Sequence, residues 1–123
     1  MQMLNLDTHV LIHAIAGSLR DREEELLRAD TWGVSCIVLW EIAKLHQLGR
    51  ISVDLRQPEI QTALSRIHVW PIDSRIASTS FRLDFRGDPA DELIAATSVV
   101  HGVRLVTRDS RIRESEMVPL ADG

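Results

Sequence analysis

Cysteine occurs once in this chain, at Cys36, so no internal disulfide can brace it and a disulfide-stapled secreted scaffold is excluded. No apolar run approaches the roughly 20 residues that a membrane-spanning helix needs. The first residues also lack the basic-then-apolar pattern of a secretory signal, so a cytoplasmic location is expected. There is no Tyr and only two Phe, which leaves little from which to build a platform for stacked bases. Lysine is confined to Lys44, and 14 Lys+Arg against 18 Asp+Glu leave a formal net charge of −4. That balance argues against holding nucleic acid by bulk positive charge, so any such partner must be gripped locally. The four prolines fall singly, at Pro58, Pro71, Pro89 and Pro119, and no linker, repeat or low-complexity tract divides the 123 residues. With 45% hydrophobic residues, a single domain over residues 1–123 with its own core is expected.

What is present alternates. Met3-Leu4-Asn5-Leu6 is a short apolar run that meets a charge at Asp7, as a strand does at a sheet edge. Leu11, Ile12, Ile15 and Leu19 then recur at helical spacing, and Arg20 to Arg28 reads as a charged helix face. Gly33 to Cys36 predicts a second strand, followed by a helix from Ile37 to Leu48 with Ser35 or Cys36 near its start and Gly49 placed to end it. Pro58 to Ile67 is helical in period, Val69 to Ile72 is a short strand closed by proline, and Ile76 to Leu83 is a further helix. Asp88-Pro89-Ala90-Asp91 is a helix start with a side-chain cap and proline at the first position, ending at Gly102. Val103 to Val106 is a last strand, running into Thr107-Arg108-Asp109. Strands separated by helices predict an α/β class: a three-layer α/β/α sandwich around a central, mainly parallel sheet of about four to five strands.

In open sheets of this kind the working site lies beyond the carboxyl ends of the strands, where Asp7 and Asp109 fall. Glu41 is a charge on an apolar stripe, with Ile37, Val38 and Leu45 as its helical neighbours. Burial of an unpaired carboxylate is costly, so Glu41 should be protonated, paired or bound to a cation; Lys44 is the alternative structural partner. Asp91, read alone, is equally a first-turn acid facing the helix dipole. Together, the four acids arise at element ends that a parallel sheet brings to one edge. Two bare carboxylates about 4 Å apart repel by ~4 kcal/mol at an effective dielectric of 20, so such a cluster needs cations. With oxygen ligands only and no Cys/His spacing for zinc, the expected ion is Mg²⁺ or Mn²⁺, and the expected chemistry is phosphodiester hydrolysis.

The segments Leu6-Asp7-Thr8-His9-Val10-Leu11-Ile12, Trp40-Glu41-Ile42-Ala43, Gly49-Arg50-Ile51, Asp88-Pro89-Ala90-Asp91 through Ala96, and Leu105-Val106-Thr107-Arg108-Asp109 together resemble the PIN-domain ribonucleases, most closely the VapC-type toxins of bacterial toxin-antitoxin pairs. The resemblance runs from the first strand to about Ile112 and implies a PIN-like fold and metal-dependent endoribonuclease activity. It assigns Asp7, Glu41, Asp91 and Asp109 as catalytic, metal-binding acids, and Thr8, Ser35 and Thr107 as groups that orient them or a water. It further implies an RNA substrate, a small antitoxin that covers the site, and a homodimer. One departure stands out: Glu92 follows the third acid, where the family often has Arg. Arg86 or Arg108 would then supply the missing charge, drawn from a set that includes Arg50, Arg82, Arg104 and Arg111.

Other signals have plainer readings. His9 and His13 stand four apart but lack a third metal ligand, Cys36 has no basic neighbour to activate it, and Trp32, Trp40 and Trp70 are expected in the core. A haloacid-dehalogenase-type phosphatase needs a second Asp where His9 stands, and a receiver domain needs a late lysine that is missing. A catalytically weak or inactive PIN-like interaction module is the remaining alternative, and only Glu92 favours it.

Overall fold

The computed structural model describes residues 2–121. Strands β1 (Met3–Leu6), β2 (Thr31–Ser35), β3 (His68–Trp70) and β4 (Arg104–Val106) form one sheet in the order β3-β2-β1-β4, every neighbouring pair parallel. Between them run α1 (Thr8–Ala16), α2 (Asp21–Ala29), α3 (Cys36–Gln47), α4 (Pro58–Leu64), α5 (Ser74–Ser80) and α6 (Pro89–His101). The expected α/β class and central parallel sheet are therefore found, with four strands. The chain steps outward from β1 through β2 to β3, then crosses back to add β4 on the other side of β1. With right-handed connections, that reversal places the helices of the two halves on opposite faces, and it opens a crevice beyond the carboxyl ends of β1 and β4.

β1 is covered on both sides: Leu4, Asn5 and Leu6 are all fully buried, as parallel-sheet centres require. A core of Leu4, Leu6, Val10, Val34, Ile42 and Ile94 closes around it. Asn5 is the polar exception, and its amide donates to the Ile94 carbonyl (3.0 Å) and the Ser98 hydroxyl (2.9 Å). Both partners lie on α6, so this buried bridge fixes α6 against β1 and with it the distance between their ends. Alanines at 90, 95 and 96 give α6 a slim buried side that permits the close approach.

The local signals operate mostly as expected. The Ser35 hydroxyl caps α3 by accepting from the Ile37 amide (3.3 Å), and Gly102 ends α6 in the left-handed region at φ 64°. Asp88 differs: it occupies the cap position of α6 in extended backbone, but its side chain makes no capping bond. Two features are absent from the sequence reading. A single-turn helix α7 (Ser110–Arg113) follows β4, and residues 119–121 pair in parallel with Leu105, covering the outer edge of the sheet.

Gly33 shows how tightly β2 and β3 meet. A Cβ there would lie 2.6 Å from the Trp70 ring, which is held edge-on to His68 and stacked on His101. Gly33→Ala is expected to destabilise the fold by about 1–3 kcal/mol through overpacking, read by urea unfolding. An unchanged midpoint would show that the indole slides aside.

Candidate functional site

Asp7 leaves β1 one residue past the strand end, and its amide still donates to the Val106 carbonyl of β4 (3.1 Å), so its position belongs to the sheet. Its Oδ1 accepts from the Thr8 amide (2.8 Å) and its Oδ2 from the Thr107 hydroxyl (2.6 Å). Both oxygens are thus held, one from each side of the crevice. Burial raises the Asp7 pKa above the usual carboxylate value, against the bonds from Thr107 and Thr8 that favour the charged form. Glu41 reaches in from α3, and the Thr8 hydroxyl donates to its Oε1. Burial raises its pKa as well, the Thr8 bond opposes this, and the negative charge of Asp7 adds to the rise.

Asp91, in the first turn of α6, shows the strongest effect. Burial and then the charges of Asp7, Glu41, Asp109 and Asp88 push its pKa up to about 7. All of these influences act in one direction. Asp109 caps α7 by accepting from the Arg111 and Ile112 amides (2.9 and 3.1 Å), while its own amide donates to the Thr107 hydroxyl (3.1 Å). The four acids singled out in the sequence therefore stand in one electrostatic environment at the crevice, and the alternative readings of Asp7 and Asp109 as caps hold alongside it.

Other expectations divide. Thr8 and Thr107 bond to Glu41 and Asp7 as described, whereas Ser35 serves as the cap of α3. Lys44 turns to Gln47 (2.9 Å) and not to Glu41. Arg108 forms two bonds with Glu23 of α2 (2.7 and 2.6 Å), and Arg86 curls back to the carbonyls of Leu83 and Phe85 (3.3 and 3.2 Å). Glu92 accepts from the Gly87 amide (3.3 Å), which turns its charge toward the loop that precedes α6. His13 pairs with Ser18 (2.8 Å), while exposed His9 is the positive influence common to Asp7 and Glu41. Trp32 and Trp70 pack as expected, but Trp40 is 60% exposed. Asp88 went unread as a member of the acidic set. Its signal is visible only in space, as a cap residue whose carboxylate caps nothing and adds charge to Glu41 and Asp91.

Among the described residues, no three His, Cys, Asp or Glu side chains converge as the direct ligands of one ion. The donor chemistry still fits a hard divalent cation, because Mg²⁺ keeps several waters and is bound through one or two carboxylates. Asp7, Glu41 and Asp91 offer such carboxylates, all three in a place that disfavours their bare charge.

The family model for the PIN domain matches residues 5–116. Ribonuclease VapC22 of Mycobacterium tuberculosis is 34% identical over 119 residues, covering 92% of each chain. The fold is similar to that in the DNA-bound VapBC structure from Salmonella typhimurium, with a TM-score of 0.73 and 20% identity over 99% of this chain and 98% of that one. It is also similar to that in a toxin-antitoxin complex from Klebsiella pneumoniae, with a TM-score of 0.69 and 22% identity over 90% of each chain. One kind of match reads the residues and the other reads the path of the backbone, and on their agreement the chain belongs to the PIN-domain family.

Proposed function

We propose that this chain is a Mg²⁺- or Mn²⁺-dependent endoribonuclease that acts as the toxin of a toxin-antitoxin pair, with Asp7, Glu41, Asp91 and Asp109 as its catalytic and metal-binding acids. The observation that carries the reading is Asp91, whose pKa is pushed to about 7 by burial and then by the charges of Asp7, Glu41, Asp109 and Asp88. Carboxylates gathered at such cost, with no ion pair among them in the described residues, suit a site whose working state contains a cation. Kinship to a VapC ribonuclease supports RNA as the substrate class.

A bound divalent ion would supply positive charge to the phosphate and to the attacking water. The chain's own part is to place carboxylates. Thr107 and the Thr8 amide fix the rotamer of Asp7, and the Thr8 hydroxyl fixes that of Glu41, so one residue aligns two acids. Asp91 accepts the proton of the attacking water at its carboxylate as the new P–O bond forms. The bond from phosphorus to the leaving ribose oxygen breaks, and that oxygen takes a proton from solvent.

The proposed antitoxin partner is supported by the toxin-antitoxin complexes that share this fold. The proposed second copy of the chain is supported by apolar side chains left in solvent, Trp40 on α3 at 60%, Leu48 just past the end of α3 at 54%, and Phe81 at 79%.

Asp7→Asn should remove most cleavage of a structured RNA in Mg²⁺ while the fold survives; cleavage at the wild-type rate would overturn the assignment. Asp91 gives a pH signature in EDTA. Its folded-state pKa lies above the unfolded value, so the native state binds the extra proton and loses stability as pH rises from about 4 to about 7. Asp91→Asn should therefore match the wild type near pH 4 and exceed it at pH 8, and its added stability at pH 8 should shrink in Mg²⁺, which stabilises the wild type more. Equal pH profiles in EDTA would show that Asp91 is already compensated. Finally, expression of the chain alone should slow growth, and co-expression of the neighbouring gene should restore it and yield a co-purifying small protein. A harmless, active chain that retains no such partner would remove the toxin role and leave the nuclease role standing.

A further inference from the structure

The acidic site needs a cation that holds the phosphate itself, and the two arginines named for this from the sequence are engaged elsewhere, Arg108 with Glu23 and Arg86 with its own loop. Arg111 is placed differently. Its Nη1 donates to the Arg86 carbonyl (2.6 Å), which draws the guanidinium across from α7 onto the 86–88 loop. There it passes over Gly87. A Cβ at Gly87 would lie 3.6 Å from Arg111 Nη1 and 3.8 Å from Asp91 Oδ2, so the guanidinium and the third acid share the small space that glycine leaves open. No ion pair joins them, since among the described residues Arg111 makes no salt bridge. One backbone bond holds the group in place, the residue is exposed, and the remaining N–H donors of the fork make no hydrogen bond or ion pair among the described residues. Asp109 secures the same arrangement from below, because its cap on the Arg111 amide sets the start of α7.

We infer that Arg111 is the phosphate-binding residue of this site: its guanidinium donates to a non-bridging oxygen of the RNA phosphate that lies against Asp91. The inference rests on the ribonuclease reading above. It gives the departure at Glu92 a physical account. The charge that the family often carries beside the third acid comes here from α7, and Glu92 is free to hold the Gly87 amide and shape the loop on which Arg111 rests.

The test measures binding of single-stranded RNA by the Asp7→Asn protein, with and without Arg111→Ala, across a series of salt concentrations, alongside cleavage kinetics in the wild-type background. Loss of one charge-assisted phosphate contact should weaken binding roughly 10- to 100-fold. The slope of log K against log salt should fall by about 0.7, the value for one phosphate of a single strand. In cleavage the change should appear mainly in KM. Arg111→Lys should retain the slope and recover part of the affinity, since it keeps the charge without the planar fork. Arg66→Ala, in the loop between α4 and β3 and lining a cavity with Thr31 at the start of β2, removes equal charge and should alter neither. A salt slope unchanged by Arg111→Ala overturns the inference whatever happens to cleavage, because it would leave Arg111 only the structural task of tying the loop. Failure of the wild type to cut RNA, with salt-dependent binding still reduced in Arg111→Ala, would instead overturn the nuclease reading alone.

Discussion

Carboxylates repel, and this site gathers them. At an effective dielectric of 20, two unit charges 4 Å apart cost about 4 kcal/mol, comparable to a large part of a small domain's net stability. The sheet meets that cost with rigid placement. Asp7 is set by a ladder bond to β4, Asp91 by the helix that Asn5 clamps to β1, and Asp109 by the cap of α7. None of these positions is a flexible loop tip. The repulsion is therefore not relieved by movement, and it adds to burial, the larger cause, in raising the pKa of Asp7, Glu41 and Asp91.

The hydroxyls work against that rise at two of the acids. A threonine donor favours the charged form, and Thr107 on Asp7 and Thr8 on Glu41 each oppose the rise in pKa that burial imposes. Asp91 has no such donor among its leading influences, and it is the acid that rises furthest. The site thus contains two acids stabilised by side-chain hydrogen bonds and one left to its neighbours, an asymmetry that suits different roles toward a cation and a proton.

The sequence made the sheet and the individual acids legible because both follow local rules: apolar runs that end in a charge, a helix stripe broken by Glu41, glycine at a helix end. What it hid was pairing across distance. Arg108 and Glu23 lie 85 residues apart and Arg111 and Arg86 lie 25 apart, so nothing in the spacing could show that one arginine is used for structure and another is set beside the acids. Ser35 is legible locally, as a residue at the start of a helix, and its hydroxyl does cap α3; the orienting role comes only from the family resemblance. Asp88 combines both: its cap pattern is correct in backbone but its carboxylate is drawn into the acidic field. The short α7 is legible only from the Asp109 cap, because four residues are too few to establish a period.

The distribution of positive charge follows from the same constraint. A chain with net charge −4 and an acidic centre cannot attract RNA through its overall field, and arginines placed directly on the acids would neutralise them before any cation or substrate arrived. The fold solves this by separation. Arg108 is absorbed by Glu23, where it joins α2 to the turn after β4, and Arg104 is drawn to Asp30 at 3.6 Å. Arg111 stands near Asp91 but is tethered to a backbone carbonyl, close enough to meet a phosphate and held back from an ion pair. Such a cation strengthens the site only when an anion bridges the gap, so attraction to substrate is gained without loss of the acids' own charge.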